Sequence, residues 1–208
     1  NTNLFGRALS AVAANVGSPS KNSQVIKTDA PGYKKVAGIL SRLELWQLII
    51  NAPQLGKAPE QLNFPPKRYL YDIGMLNYLR FRGRPDFDAS QISDPFVKIA
   101  VGGLIENALA ISLRNQVREI VGIKLSKNSE IDFGVKRDNL FVPIECKAAN
   151  DFKLQHAFSV LNYCRLFGLK HGVVVNLGTP AIIEKEGINI YSLPAYLADE
   201  ILRLVAEK

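Results

Sequence analysis

Residues 129–148, SEIDFGVKRDNLFVPIECKA, decide how this chain is read. The first arm alternates Ile131, Phe133 and Val135 with Glu130, Asp132 and Lys136. The second alternates Val142, Ile144, Cys146 and Ala148 with Glu145 and Lys147. Such alternation is the pattern of a half-buried strand, with an apolar face to the core and a polar face outward. Between the arms sits Asp138-Asn139, two residue types that tolerate the left-handed backbone of a tight hairpin turn. A hairpin closed by Arg137 and Leu140 fixes the register. Asp132 then lies opposite Glu145, and Glu130 opposite Lys147.

Two carboxylates directly opposite one another destabilise a sheet. A cation between them relieves the repulsion, and an all-oxygen ligand set at this spacing suits Mg²⁺ or Mn²⁺ rather than zinc. The neighbouring Lys147 can orient an attacking water or stabilise charge developing on a phosphate. For an isolated hairpin the plainer reading is a solvated polar face whose charges screen one another.

Outward from this hairpin the elements alternate. Upstream, VGGLIENALAISLRNQV (101–117) is a helix in which Leu104, Ala108, Leu109, Ile111 and Leu113 fill a buried arc. Glu106 falls at the edge of that arc, beside Asn107 and Arg114. GIKLSK (122–127) is strand-like, and a helix over 153–167 follows the hairpin. GVVVNL (172–177) has the β-branched character of a central strand. A strand at INIYSL (188–193) and a helix over 195–207 close the chain. Helix, three strands, helix, strand predicts an α/β fold with a mixed sheet flanked by helices.

The first part reads differently. A helix over 3–15 is followed by a short apolar element at Val25 and Ile26. A second helix, opened by Pro31-Gly32, buries Val36, Ile39, Leu40 and Leu43 and presents Tyr33, Lys34, Lys35 and Arg42. A strand through Trp46, Leu48 and Ile50, a Pro/Gly-rich loop and the apolar KRYLYDIGML (67–76) come next. That order predicts a small winged-helix domain over 1–64, with its basic helix in the major groove of DNA, before a second domain over 65–208. A helical bundle packed on its neighbour is the other reading.

Charge agrees with a phosphate-bearing partner. The net charge is +7 with a pI near 9.4, and most of the excess falls before Asp94. Arg80, Arg82 and Arg84 form a further basic cluster. With 47% hydrophobic residues the chain has material for a core. No segment is expected to span a membrane, and the N-terminus lacks the pattern of an export signal. Cys146 and Cys164 are solitary, with no CxxC partner, which argues against zinc and for a reducing, cytoplasmic setting. His156 and His171 accompany no nucleophile pattern and read as surface or packing residues. The chain opens on Asn1, as a processed or excised piece of a longer protein would.

Four segments in order carry a resemblance: KRYLYDIGMLNYL (67–79), GGLIENALAISLR (102–114), residues 129–148 and GLKHGVVVNLG (168–178). Together they resemble the DUF4143 region, a PD-(D/E)XK nuclease-like domain with a preceding winged helix, found C-terminal to AAA+ ATPase domains in bacteria and archaea. The resemblance implies a restriction-endonuclease-like mixed sheet. It implies Asp132 as the first-strand aspartate, Glu145 and Lys147 as the ExK pair, and Glu106 as an accessory metal ligand. Ile131 replaces the proline of the eponymous motif. It further implies a nuclease using Mg²⁺ or Mn²⁺, or a non-catalytic regulatory tail of the ATPase. GxxxxGK[S/T] is missing, since Gly56-Lys57-Ala58 lacks both the upstream glycine and the hydroxyl. The ATPase module the resemblance implies would lie upstream.

Overall fold

The computed structural model describes residues 2–26, 30–56, 64–83, 89–126 and 129–206. Eight strands form one mixed sheet in the order β2-β1-β3-β4-β5-β6-β8-β7. The strands are β1 (Ile49–Leu55), β2 (Phe64–Leu70), β3 (Ile120–Ser126), β4 (Ser129–Arg137), β5 (Leu140–Cys146), β6 (His171–Asn176), β7 (Ala181–Lys185) and β8 (Ile188–Pro194). Strands β3, β4 and β5 form an antiparallel meander, whereas β5–β6 and β6–β8 are parallel. The expected α/β fold with a mixed sheet is observed.

The hairpin at the centre forms as its turn chemistry dictates. Arg137 pairs with Leu140 and Phe133 with Ile144, in the expected register. Asp138 adopts φ 54°, the left-handed conformation its short polar side chain tolerates.

Helices cover both faces. Helix α5 (Pro95–Gln116) starts at an Asp94 cap whose carboxylate accepts the Phe96 and Val97 N–H groups. Its Ile105, Leu109 and Leu113 pack with Phe133, Val142 and Ile144, joined by Leu202 and Val205 of α7 (Ile201–Ala206). On the other face Val160 and Leu161 of α6 (Phe158–Phe167) meet Ile123, Ile131 and Val174. By length and composition α5 could cross a bilayer, contrary to the expectation that no segment would. In this fold one face of it is buried against the sheet through Leu109, Ala110 and Leu113, while Phe96 and Ile99 near its start are exposed.

The N-terminal order of elements is as expected: α1 (Thr2–Ala14), α2 (Asn22–Val25), α3 (Ala30–Leu45), then β1 and β2. The two strands are not a free-standing wing. Strand β1 pairs in parallel with β3 through Gln54 and Leu55, so the hairpin extends the large sheet. Residues 57–63, between the two strands, lie outside the described residues. Leu70 of β2 packs with Val36, Leu43 and Leu76 in the core shared by α1, α3 and α4 (Ile73–Phe81). The sheet is therefore continuous across residue 64.

Candidate functional site

Between the pairs Val121↔Gly134 and Ile123↔Ile131, β4 holds one residue more than β3. Residues 132 and 133 oppose Gly122 alone, which is a β-bulge. The bulge breaks the alternation read from the sequence. Ile131 packs in the α6 cluster, whereas Phe133 stacks against Tyr69 beneath α5, with ring centroids 5.3 Å apart. Asp132, at the break, turns toward β2 and α5.

One Asp132 oxygen, Oδ1, lies 2.8 Å from Lys67 Nζ. The other, Oδ2, accepts the Cys146 N–H at 2.9 Å. A strand N–H points along the sheet toward its neighbour. The carboxylate thus takes the ladder position just beyond Phe133↔Ile144 and joins two groups of side chains.

The first group centres on Lys67, whose side chain is 1% exposed. Its ammonium contacts Glu106 Oε1 and Glu130 Oε1, each at 3.2 Å, as well as Asp132. Tyr69, two residues on along the same strand face, donates its hydroxyl to Glu106 Oε1 at 2.7 Å. Lys124 also pairs with Glu130, at 3.1 Å. Asn107 fixes the geometry by accepting the Leu70 N–H and donating to the Leu70 carbonyl, at 2.8 and 2.9 Å, which clamps α5 to the edge strand. Gly17 covers Glu106 so closely that a Cβ there would stand 2.5 Å from Oε2.

The second group is Glu145 and Lys147. Lys147 Nζ reaches Glu145 Oε1 at 2.5 Å and is partly exposed. Glu145 is buried, and its Oε2 has no hydrogen-bond donor among the described residues.

Electrostatics follow from burial first. Burial, then Asp132, pushes the Glu145 carboxyl up to about 8 against the opposing pull of Lys147. Burial, then Asp132, raises Glu106 to about 7 against Lys67 and Tyr69. For Lys67 burial opposes the charge, but Asp132, Glu106 and Glu130 outweigh it and hold the ammonium well above its ordinary value. Burial, then Glu106 and Asp132, keeps the Tyr69 hydroxyl protonated.

The structure therefore gathers Glu106, Asp132, Glu145 and Lys147 at one end of the meander, with two corrections. The expected partner of Lys147, Glu130, is held by Lys67 and Lys124, and Lys147 pairs with Glu145. The repulsion between Asp132 and Glu145 is met by two ammonium groups, so no three His, Cys, Asp or Glu side chains form a ready cage among the described residues. The donors still fit a hard divalent ion. Glu145 Oε2 is buried without a partner and Asp132 is adjacent to it in register, both oxygen donors suited to Mg²⁺ or Mn²⁺. Glu106 is engaged by Lys67 and Tyr69 and is the least available of the three.

Lys67 and Tyr69 were not legible as site residues. The one signal was a lysine sharing a strand face with an aromatic residue in an otherwise apolar segment. Cys146 packs toward the α5 core, as expected of a small hydrophobe, and burial raises its thiol pKa well above the ordinary value.

The basic residues divide. Lys34, Lys35 and Arg42 are exposed on α3 and rim a groove of about 490 Å³ lined by Phe5, Ile39 and Trp46. Arg80 does not reach outward as expected. Its guanidinium lies 5.1 Å from the Phe81 ring centroid and against Gly103 of α5. Arg82 is exposed, with φ 59°, and caps α4 through its backbone N–H to Tyr78. Arg84 lies outside the described residues.

No curated protein matches the chain. Residues 105–189 match the family model of the PD-(D/E)XK nuclease superfamily, a span that holds Glu106, Asp132, Glu145 and Lys147 but neither Lys67 nor Tyr69. The segment from the middle of α5 to the start of β8 is thus similar to the PD-(D/E)XK nuclease superfamily, and its mixed α/β sheet is consistent with a nuclease-like fold.

Proposed function

We infer that this module is a divalent-metal-dependent phosphodiesterase acting on nucleic acid, DNA in the first instance. The observation that carries the reading is the buried Glu145 oxygen without a donor, beside Asp132 and next to the partly exposed Lys147. Glu145 and Asp132, with Glu106 behind them, would hold Mg²⁺ or Mn²⁺, which supplies charge stabilisation at a phosphoryl oxygen. Lys147 sits where its ammonium can reach both Glu145 and solvent, and it positions the attacking water or a phosphate oxygen. Lys34, Lys35 and Arg42, exposed on α3, would add phosphate contacts of the kind a basic helix makes with DNA. The ordered segments resembling DUF4143 support a place C-terminal to an AAA+ ATPase module, whose hydrolysis would govern access to the substrate.

Two observations favour a second reading, a non-catalytic DNA-binding or protein-interaction domain of the same ATPase. Lys67 already pairs with Asp132 and Glu106, and the basic face of α3 borders an apolar groove. A nuclease-like fold does not fix an activity.

The test incubates the chain with single- and double-stranded DNA and RNA, with Mg²⁺, Mn²⁺ or EDTA. Metal-dependent cleavage is expected, reduced about 10²-fold or more by Lys147→Ala, with binding little changed. Asp132→Asn should abolish it. No metal-dependent cleavage, by the chain or by a polypeptide that includes the upstream module, would select the second reading. Cleavage that persists in both variants would overturn the assignment of the site.

A further inference from the structure

We propose that Lys67 is a resident counter-ion that competes with divalent cations for Asp132 and Glu106, so that metal gains these ligands only by displacing an ammonium group. The proposal rests on the reading of Asp132 as a metal ligand. A lysine ammonium has three N–H donors. Here three carboxylates surround it, at 2.8 Å for Asp132 and 3.2 Å for Glu106 and Glu130; the lysine side chain is buried and the carboxylates are partly so. Asn107 clamps β2 to α5 at Leu70, and the neighbouring Arg68 ties the same strand to Ser20 and Asn22.

An ion at ligand distance from Asp132 Oδ1, about 2.1 Å for Mg²⁺, would stand within about 5 Å of the ammonium already there, 2.8 Å from the same oxygen. Two cations so placed repel strongly in a buried setting. The other Asp132 oxygen is committed to the Cys146 N–H. Glu106 offers no easier route, because its Oε1 accepts from both Lys67 and Tyr69 and its Oε2 is packed under Gly17. Among the site's carboxylates within the described residues, the one with a buried oxygen lacking a donor is Glu145, through Oε2. An ion is therefore held first by Glu145, and Lys67 determines whether Asp132 and Glu106 join. The device sits outside the matched nuclease segment, on a strand supplied by the N-terminal part of the chain.

The test measures Mn²⁺ binding by electron paramagnetic resonance, and melting temperature in EDTA and in Mn²⁺, for the wild type and Lys67→Met. The variant should bind Mn²⁺ about tenfold or more tightly, since no displacement is needed. It should melt below the wild type in EDTA and gain more than the wild type from Mn²⁺. Adding Asp132→Asn to Lys67→Met should cancel the gain in affinity. Equal or weaker Mn²⁺ binding by Lys67→Met would overturn the proposal, as would no saturable binding by either protein. If Lys67→Met fails to fold in both conditions, Lys67→Met/Glu130→Gln, which removes one charge of each sign, is titrated with the same outcomes. Neither readout depends on cleavage. Tighter Mn²⁺ binding by a protein that cuts nothing, with or without the upstream module, upholds this proposal and defeats the phosphodiesterase reading, whereas cleavage with unchanged Mn²⁺ affinity does the reverse.

Discussion

Replacing Glu145 by glutamine keeps the side-chain volume and removes its titration. Burial and Asp132 hold the carboxyl at about 8 in the folded protein, against an ordinary value of 4.5. Within that window the folded protein keeps a proton that the unfolded chain has released. Raising the pH therefore costs the wild type stability that Glu145→Gln retains. The slope approaches about 1.4 kcal/mol per pH unit, and across the window the difference reaches on the order of 4 kcal/mol. Below pH 4.5 the carboxyl is neutral in both states, and the two proteins should differ only by the contact to the partly exposed Lys147, about 0–1 kcal/mol. Urea denaturation in EDTA at several pH values from 5 to 8 measures the difference. The variant should become progressively the more stable protein as the pH rises. Mg²⁺ bound to Glu145 would lower its pKa, so the same series with Mg²⁺ should show a narrower gap. Parallel stability profiles, or a variant less stable than the wild type at pH 8, would refute the reasoning.

Gly17→Ala would set a Cβ 2.5 Å from the Glu106 carboxylate at a backbone φ of +73°, and should cost about 1–3 kcal/mol by thermal or urea denaturation. Asn107→Ala strips both partners from the Leu70 backbone and should cost about 2–4 kcal/mol, with β2 amides such as that of Leu70 losing protection in hydrogen exchange. Lys34→Ala with Lys35→Ala should weaken DNA binding across all sequences and flatten its salt dependence. Unchanged affinity and salt slope would assign the α3 groove to a protein partner instead.

The register of the central hairpin needed only the sequence. Alternation marks both arms, and Asp138-Asn139 admits one tight turn, so Arg137 meets Leu140 and every later pair follows. The order α5, β3, β4, β5, α6, β6 was legible for the same local reason, because period-3.6 and period-2 patterns show in a short window. So was the gathering of acidic residues with Lys147, through the ordered motifs. What surrounds those residues was not local. The extra residue in β4 leaves no trace in composition, and it exists only relative to β3, so the turning of Asp132 could not be read in advance. Lys67 lies 65 positions from Asp132 and 39 from Glu106, and no periodicity links segments so far apart. Only the pairing of β1 with β3, which carries β2 to the flank of the meander, brings that ammonium into the carboxylates. The sequence determined which charges the site contains. The tertiary structure decided which cation holds them, because that depends on a contact between strands that only folding makes neighbours.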